Sequence, residues 1–131
     1  MKDIKLGIIG LSPGNGHPYS WSAIINGYDN DLMQDCGFPA IPKYLNNENF
    51  PDSQIKNVNV SHIYTQNINL SIKIAKTTYI KNVVYDFNEM IGEIDGLLLA
   101  RDDASNHKKF SEPFLKAGIP VYIDKPMALS V

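Results

Sequence analysis

Three stretches of this chain carry residues whose types and spacing can do chemistry. The first is Gly10-Leu-Ser-Pro-Gly-Asn-Gly-His17, a glycine-rich turn just ahead of Pro18. Small residues let an anion approach the backbone N–H groups, and a helix starting near Pro18 would aim its positive end at the same place. The second is Ala100-Arg-Asp-Asp-Ala-Ser-Asn-His107, which gathers an arginine, two acids, an amide and an imidazole. The third is Gly118-Ile-Pro-Val-Tyr-Ile-Asp-Lys-Pro126. There the apolar run Val121-Tyr122-Ile123 delivers Asp124, Lys125 and Pro126 to its carboxyl end, where open α/β sheets place their chemistry. A lysine at such a position is either a reacting group or a pocket wall.

Each stretch also has a plainer reading. The strict fingerprint G-x-G-x-x-G is not present, because the glycines fall at Gly10, Gly14 and Gly16 with Ser12 where a second glycine is expected. Ser12 either donates to a phosphate or fills a turn. Gly10, Ser12, Gly14, Asn15 and Gly16 are the candidate pyrophosphate contacts. His17, at the mouth of the loop, either lines the pocket or simply starts a helix with a solvated ring. An acid about 20 residues on usually holds the adenosine ribose. Counting nominates Asp29 or Asp31, but both precede the second strand, whose end reads Thr65-Gln66-Asn67 without acid or arginine. Thr65 and Gln66 are therefore the ribose candidates, beside an ordinary strand-to-helix role, and NAD and NADP stay equally open. Arg101 is a candidate for phosphate or a substrate carboxylate, and Asn106 and His107 for the nicotinamide region. The alternative is that Asp103 or Ser105 caps the next helix and Asp102 is solvated. His62 reads as a core or edge histidine. Cys36 is the single cysteine and reads as a plain thiol, and no histidine pair has metal-ligand spacing, so no zinc site is expected.

The elements that must position these residues follow from the apolar pattern. Lys5–Gly10, Val58–Tyr64, Asn82–Asp86, Asp95–Ala100 and Val121–Ile123 read as strands, the fourth as a continuous apolar run of the kind buried on both faces of a parallel sheet. Trp21, Ile24, Ile25 and Tyr28 fall on one helical face after Pro18, with Gly27 weakening its end. A helix is expected over Asn69–Thr78, a helical turn over Phe87–Ile91, and a helix over Ser105–Ala117 that ends at Gly118 and contains Pro113. Residues 29–57 read as a long polar connection, ordered and packed because of its prolines and aromatics. The alternation predicts an α/β fold: a doubly wound, mostly parallel, Rossmann-like sheet in a single domain, 1–131.

Composition narrows the class. The 131 residues are 44% hydrophobic and 20% charged, with 12 basic and 14 acidic residues for a net charge of −2. That balance, without a dense basic cluster, argues against nucleic acid as a partner. No apolar run is long enough for a membrane span and no signal-peptide pattern is present, so no membrane partner and a cytoplasmic location are the expectations.

Three motifs together resemble the N-terminal domain of the glucose-fructose oxidoreductase, inositol dehydrogenase and rhizopine-catabolism family, Gfo/Idh/MocA. They are Leu6-Gly-Ile-Ile-Gly10 with its loop, Asp95-Gly-Leu-Leu-Leu-Ala100 leading to Asn106-His107, and Ala117-Gly-Ile-Pro-Val-Tyr-Ile-Asp-Lys-Pro126. The last resembles the family's AGkhVlcEKP segment with Asp124 in place of glutamate. The resemblance implies a nicotinamide cofactor, NAD or NADP, and hydride transfer at a sugar or cyclitol CH–OH carbon. It implies that Lys125 orients the substrate hydroxyl and assists proton transfer, with Asp124 and Pro126 fixing its direction. It also implies a following substrate domain, absent here, so that the 131-residue piece alone is expected to be inactive and monomeric while the full-length protein forms a homo-oligomer. The alternative is a non-catalytic nucleotide-binding or interaction module on the same fold.

Overall fold

The structure, a computed structural model, describes residues 3–128; the expected domain 1–131 extends past these at both ends. Five strands, β1 (Ile4–Ile9), β2 (Val58–Tyr64), β3 (Asn82–Val83), β4 (Gly96–Leu99) and β5 (Val121–Ile123), form one sheet in the order β3-β2-β1-β4-β5. Every pairing is parallel, with Ile8 of β1 facing Ile63 of β2 on one side and Leu98 of β4 on the other. The doubly wound parallel sheet expected from the alternation of elements is thus the observed fold.

Successive side chains of a strand point to opposite faces, and β1 uses this to serve two cores. Ile8 enters the layer made with α1 (His17–Asn26), while Ile9 enters the layer on the opposite face with Phe110 and Phe114. Gly7 faces the same side as Ile9 at a close approach, since a Cβ there would sit 2.8 Å from Ile94 Cδ1 and Met90 Sδ.

The 29–57 connection is more regular than a loop. It contains α2 (Asn30–Gln34), whose N-terminus Asp29 caps by accepting from the Leu32 N–H at 3.0 Å, and α3 (Ala40–Asn46). Met33, Cys36 and Leu45 drive it into the α1 layer, which is what overcomes its polar composition. Cys36 is buried there and its Sγ donates weakly to the Phe38 carbonyl, as a plain thiol would. Asn67 caps α4 (Ile68–Thr78) by accepting from the N–H groups of Asn69 and Leu70.

Two boundaries differ from expectation. The third strand stops at Val83, because Asp86 accepts from the Asn88 N–H and opens a 3₁₀ turn at Phe87–Met90. The helix expected from Ser105 begins as a 3₁₀ turn at Ala104–Asn106 and becomes α5 at His107–Lys116. Asp103 does not cap it with its side chain, because that carboxylate is bound by Arg101 and Asn106. His62 is partly buried on β2 against Ser61 Oγ, and burial pushes its ring below the usual value.

Candidate functional site

The glycine loop leaves β1 at the carboxyl edge of the sheet, and its three glycines have different reasons to be small. A Cβ on Gly10 would lie 2.2 Å from Pro18 Cγ, and one on Gly16 would lie 2.6 Å from Ile41 Cδ1 and 2.8 Å from Phe38 Cγ. Those two let α1 and α3 close on the loop. Gly14 has a φ of 77° and nothing within 4 Å of a Cβ, so it is the open, left-handed corner. Among the described residues the N–H groups of Gly14 and Gly16 have no hydrogen-bond acceptor. They stand at the start of α1, where an anion is favoured. Ser12 is buried and shapes the loop from within: its Oγ donates to Asp102 Oδ1 at 2.7 Å and accepts from the Asp102 N–H at 3.0 Å.

Asp124, at the tip of β5, is the hub of the opposite side. It is 6% exposed and accepts from Asn15 Nδ2 at 2.8 Å. His17 Nδ1 lies 2.6 Å from the same Oδ2, and the Lys125 N–H donates to Oδ1 at 3.0 Å. Burial pushes this carboxyl up, but the hydrogen bonds from Asn15 and His17, with the Lys125 N–H, outweigh it and hold it below its usual value. An ionised carboxylate only accepts, so the proton in this contact belongs to His17 Nδ1. The His17 ring also stacks on Trp21 with centroids 4.7 Å apart and 14° between planes, and Trp21 meets the edge of Tyr122.

The remaining candidates form a brace between the β1, β2 and β4 loops. Gln66 accepts from the Leu11 N–H and donates to the Leu11 carbonyl, and its Oε1 accepts from Arg101 Nη1 at 3.0 Å. Arg101 is buried, and its guanidinium grips Asp103 through Nε at 2.9 Å and Nη2 at 2.5 Å. That fork holds the Asp103 carboxyl down at about 2. Thr65 is buried against Ser71 Oγ and the Asn67 carbonyl, and Asn106 donates to Asp103. His107 is 2% exposed, with Nε2 on the Arg101 carbonyl and Nδ1 on the Met127 carbonyl. It therefore ties the segment after Pro126 to the β4 loop. Asp102, expected to be solvated, is exposed but spends one oxygen on Ser12.

Between the glycine loop, α1, α3 and the β5 tip lies a cavity of about 630 Å³. Gly14, Asn15, Gly16, His17, Asp102, Asp124 and Lys125 line its polar side. Trp21, Ile24, Phe38, Ile41 and Tyr44 line its apolar side. The structure thus gathers the first and third motifs around one space, while Thr65, Gln66, Arg101, Asn106 and His107 brace the neighbouring loops. Sequence reasoning missed the apolar wall. Trp21 and Ile24 read as core positions of an amphipathic helix, and nothing local marked Phe38 or Tyr44 as facing a pocket. It also missed the His17–Asp124 contact, for which no sequence signal exists across so many intervening residues.

Residues 36–131 match the profile of the oxidoreductase family with an NAD-binding Rossmann fold, Gfo/Idh/MocA. The chain belongs to this family. Several solved structures resemble this Gfo/Idh/MocA domain. An oxidoreductase of the family from Vibrio cholerae superimposes with a TM-score of 0.66 at 17% identity, over 98% of this chain and 32% of that one. Myo-inositol 2-dehydrogenase from Lactobacillus plantarum gives 0.63 at 15% identity, over 98% and 30%. Scyllo-inositol dehydrogenase from Lactobacillus casei, solved with bound NAD(H) and scyllo-inositol, gives 0.60 at 19% identity, again over 98% and 30%. At these identities the likeness is one of fold, and this Gfo/Idh/MocA chain spans about a third of the length of each. No curated protein matches the chain. Among the described residues no helix is long and apolar enough to cross a membrane.

Proposed function

We propose that this NAD-binding Rossmann domain serves an oxidoreductase acting on the CH–OH group of a sugar or cyclitol. The observation that carries the reading is that Lys125 leaves the β5 tip on the rim of the same cavity that the glycine loop lines. The residues present fit a dinucleotide. The free N–H groups of Gly14 and Gly16, with Asn15 beside them, suit the pyrophosphate, and the open corner at Gly14 lets it come close. Ser12, held by Asp102, keeps the loop in that shape. We assign NAD rather than NADP, because Arg101, the cation that neighbours the β2 end through Gln66, is neutralised by Asp103. A 2′-phosphate there would find no free cation among those contacts.

When bound, the nicotinamide supplies the hydride chemistry and the protein supplies position. Lys125 holds the substrate hydroxyl and assists movement of its proton, while Asp124, through the Lys125 N–H, sets where the lysine leaves the strand. Pro126 turns the chain after it, and His107 fastens the segment that follows. We assign Thr65 and the Gln66–Arg101–Asp103–Asn106 brace to holding the loops around the cofactor. The similarity to inositol dehydrogenases supports a polyhydroxylated substrate. The length of those relatives supports a further domain over the cavity in the full-length protein, which we propose to be a cytoplasmic homo-oligomer.

Trp21 is the single tryptophan and sits on the cavity wall, so NADH bound at this loop accepts its excitation energy. Titration of this chain should quench Trp21 and sensitise NADH emission, with NADPH weaker. Unchanged emission with both would remove the cofactor reading and leave an interaction module. In the full-length protein, with NAD and scyllo-inositol as the probe substrate, Lys125→Ala should keep cofactor affinity and lose most turnover.

A further inference from the structure

We propose that Trp21, Phe38 and Tyr44 form a stacking wall for the substrate ring, which selects six-membered rings with equatorial hydroxyls. The wall takes one C–H face of the ring, opposite the face turned to the nicotinamide. This deepens the oxidoreductase reading above and rests on it. The cavity of about 630 Å³ runs from the glycine loop to Lys125 at the β5 tip, and neither Thr65 nor Gln66 lines it. The end of β2, where the adenosine ribose is expected, therefore has no part in this space. Its polar groups beyond the loop suit a hydroxyl edge: Lys125 donates, Asp102 accepts and Ser20 does either. The opposite wall is aromatic and aliphatic, and a cofactor phosphate has no use for it.

Core packing does not explain that wall. Buried Pro42 and Leu45 dock α3 on the core, whereas Tyr44 is 52% exposed. Tyr44 stacks on no other ring among the described residues. A lone exposed tyrosine is ordinary, but this one shares a concave surface with Trp21, Ile24, Phe38 and Ile41. The wall is also held at a fixed distance from the loop, since Phe38 and Ile41 close directly on Gly16.

A six-membered ring with equatorial hydroxyls carries its polar groups around its edge and C–H bonds on both faces. Aromatic faces are electron-rich and suit those C–H bonds, while Lys125, Asp102 and Ser20 suit the edge. The reacting C–H of an equatorial alcohol is axial, so it points out of one ring face and leaves the other for the wall. An axial hydroxyl on the wall side would be pressed against carbon without a partner, which costs affinity. The proton step stays with Lys125 as described above.

The test uses the full-length protein loaded with NADH, which cannot oxidise the probes, and two inositol isomers. scyllo-Inositol has every hydroxyl equatorial, whereas D-chiro-inositol carries an axial hydroxyl on each face. Saturating the protein's aromatic protons in NMR should transfer to the C–H protons of scyllo-inositol. That isomer should bind about 10–100-fold more tightly than D-chiro-inositol. Tyr44→Ala should weaken scyllo-inositol binding about three- to ten-fold and narrow the preference, with Tyr44→Phe restoring both. In turnover with NAD, Tyr44→Ala should raise KM for scyllo-inositol far more than it lowers kcat. Equal binding of the two isomers, or a Tyr44→Ala variant that binds and discriminates as the wild type does, would overturn the proposal. So would binding of neither isomer by protein that binds NADH. Failure to bind NADH would instead strike the cofactor reading, and the two isomers titrated without cofactor would still report on the wall.

Discussion

Asn15 and Asp124, 109 positions apart, meet through a buried hydrogen bond of 2.8 Å from Nδ2 to Oδ2. The same asparagine accepts from the His17 N–H with its Oδ1, so one side chain joins the glycine loop, the start of α1 and the tip of β5. Removing it leaves a buried carboxylate short of a donor. Asn15→Ala should destabilise the domain by about 1.5–3 kcal/mol, the range for a hydrogen bond to a charged group, read as a lowered urea midpoint. NADH affinity should fall with it, since the loop loses its anchor.

The glycines should separate by mechanism. Gly10→Ala drives a Cβ to 2.2 Å from Pro18 Cγ in a ring that cannot yield, and should cost at least about 1–3 kcal/mol. Gly14→Ala meets nothing within 4 Å but keeps a φ of 77°, so its cost should be about 1–2 kcal/mol of backbone strain. Thermal melts of the two variants, alongside NADH titration, distinguish a packing glycine from an open one. Equal stability of both variants to wild type would contradict this division.

Acid should release the Arg101–Asp103 fork. The Asp103 carboxyl is held at about 2, below its ordinary 3.8, first by the Arg101 hydrogen bond. A depressed carboxylate contributes stability above its unfolded value and loses it as pH falls through the folded one. The contribution is therefore complete above about pH 4 and gone near pH 2. Its size is about 1–2 kcal/mol once screening of this partly exposed group is allowed for. Comparing urea midpoints of wild type and Asp103→Asn at pH near 5 and near 2.5 isolates it, because the gap between them should narrow.

Tyr19 is fully buried on α1, its hydroxyl has no partner among the described residues, and burial, helped by Cys36, pushes its pKa up to about 12. Tyr19→Phe removes a polar atom that gains nothing in the fold. It should raise stability by about 1 kcal/mol and leave NADH binding intact. A destabilised variant would mean that the hydroxyl is bonded in solution.

Much of the scaffold was legible because periodicity is local. The apolar runs around Ile8, Leu98 and Ile123 and the proline at the start of α1 each act within a few residues. Reading them in order was enough for a doubly wound parallel sheet. The glycine loop and the Asp124-Lys125-Pro126 tip were visible for the same reason. The stretch 29–57 is ordered and packed as its prolines and aromatics implied, but its two helices were not legible, because the burial of Met33 and Leu45 that forms them depends on the α1 surface they meet.

The residues themselves settled the parallel sheet and which loops reach its carboxyl edge, since strand pattern and turn chemistry are properties of neighbours in the chain. Only the tertiary structure decided which of the candidate groups stay free. Arg101 and Gln66 satisfy one another across strands, His107 meets the backbone of the β4 loop and of the segment after Pro126, and Thr65 is taken by its neighbour Ser71, whereas Lys125 and the far side of His17 face open space. A side chain's availability depends on partners brought together by the sheet order β2-β1-β4-β5, and that proximity is not written in any local stretch of sequence.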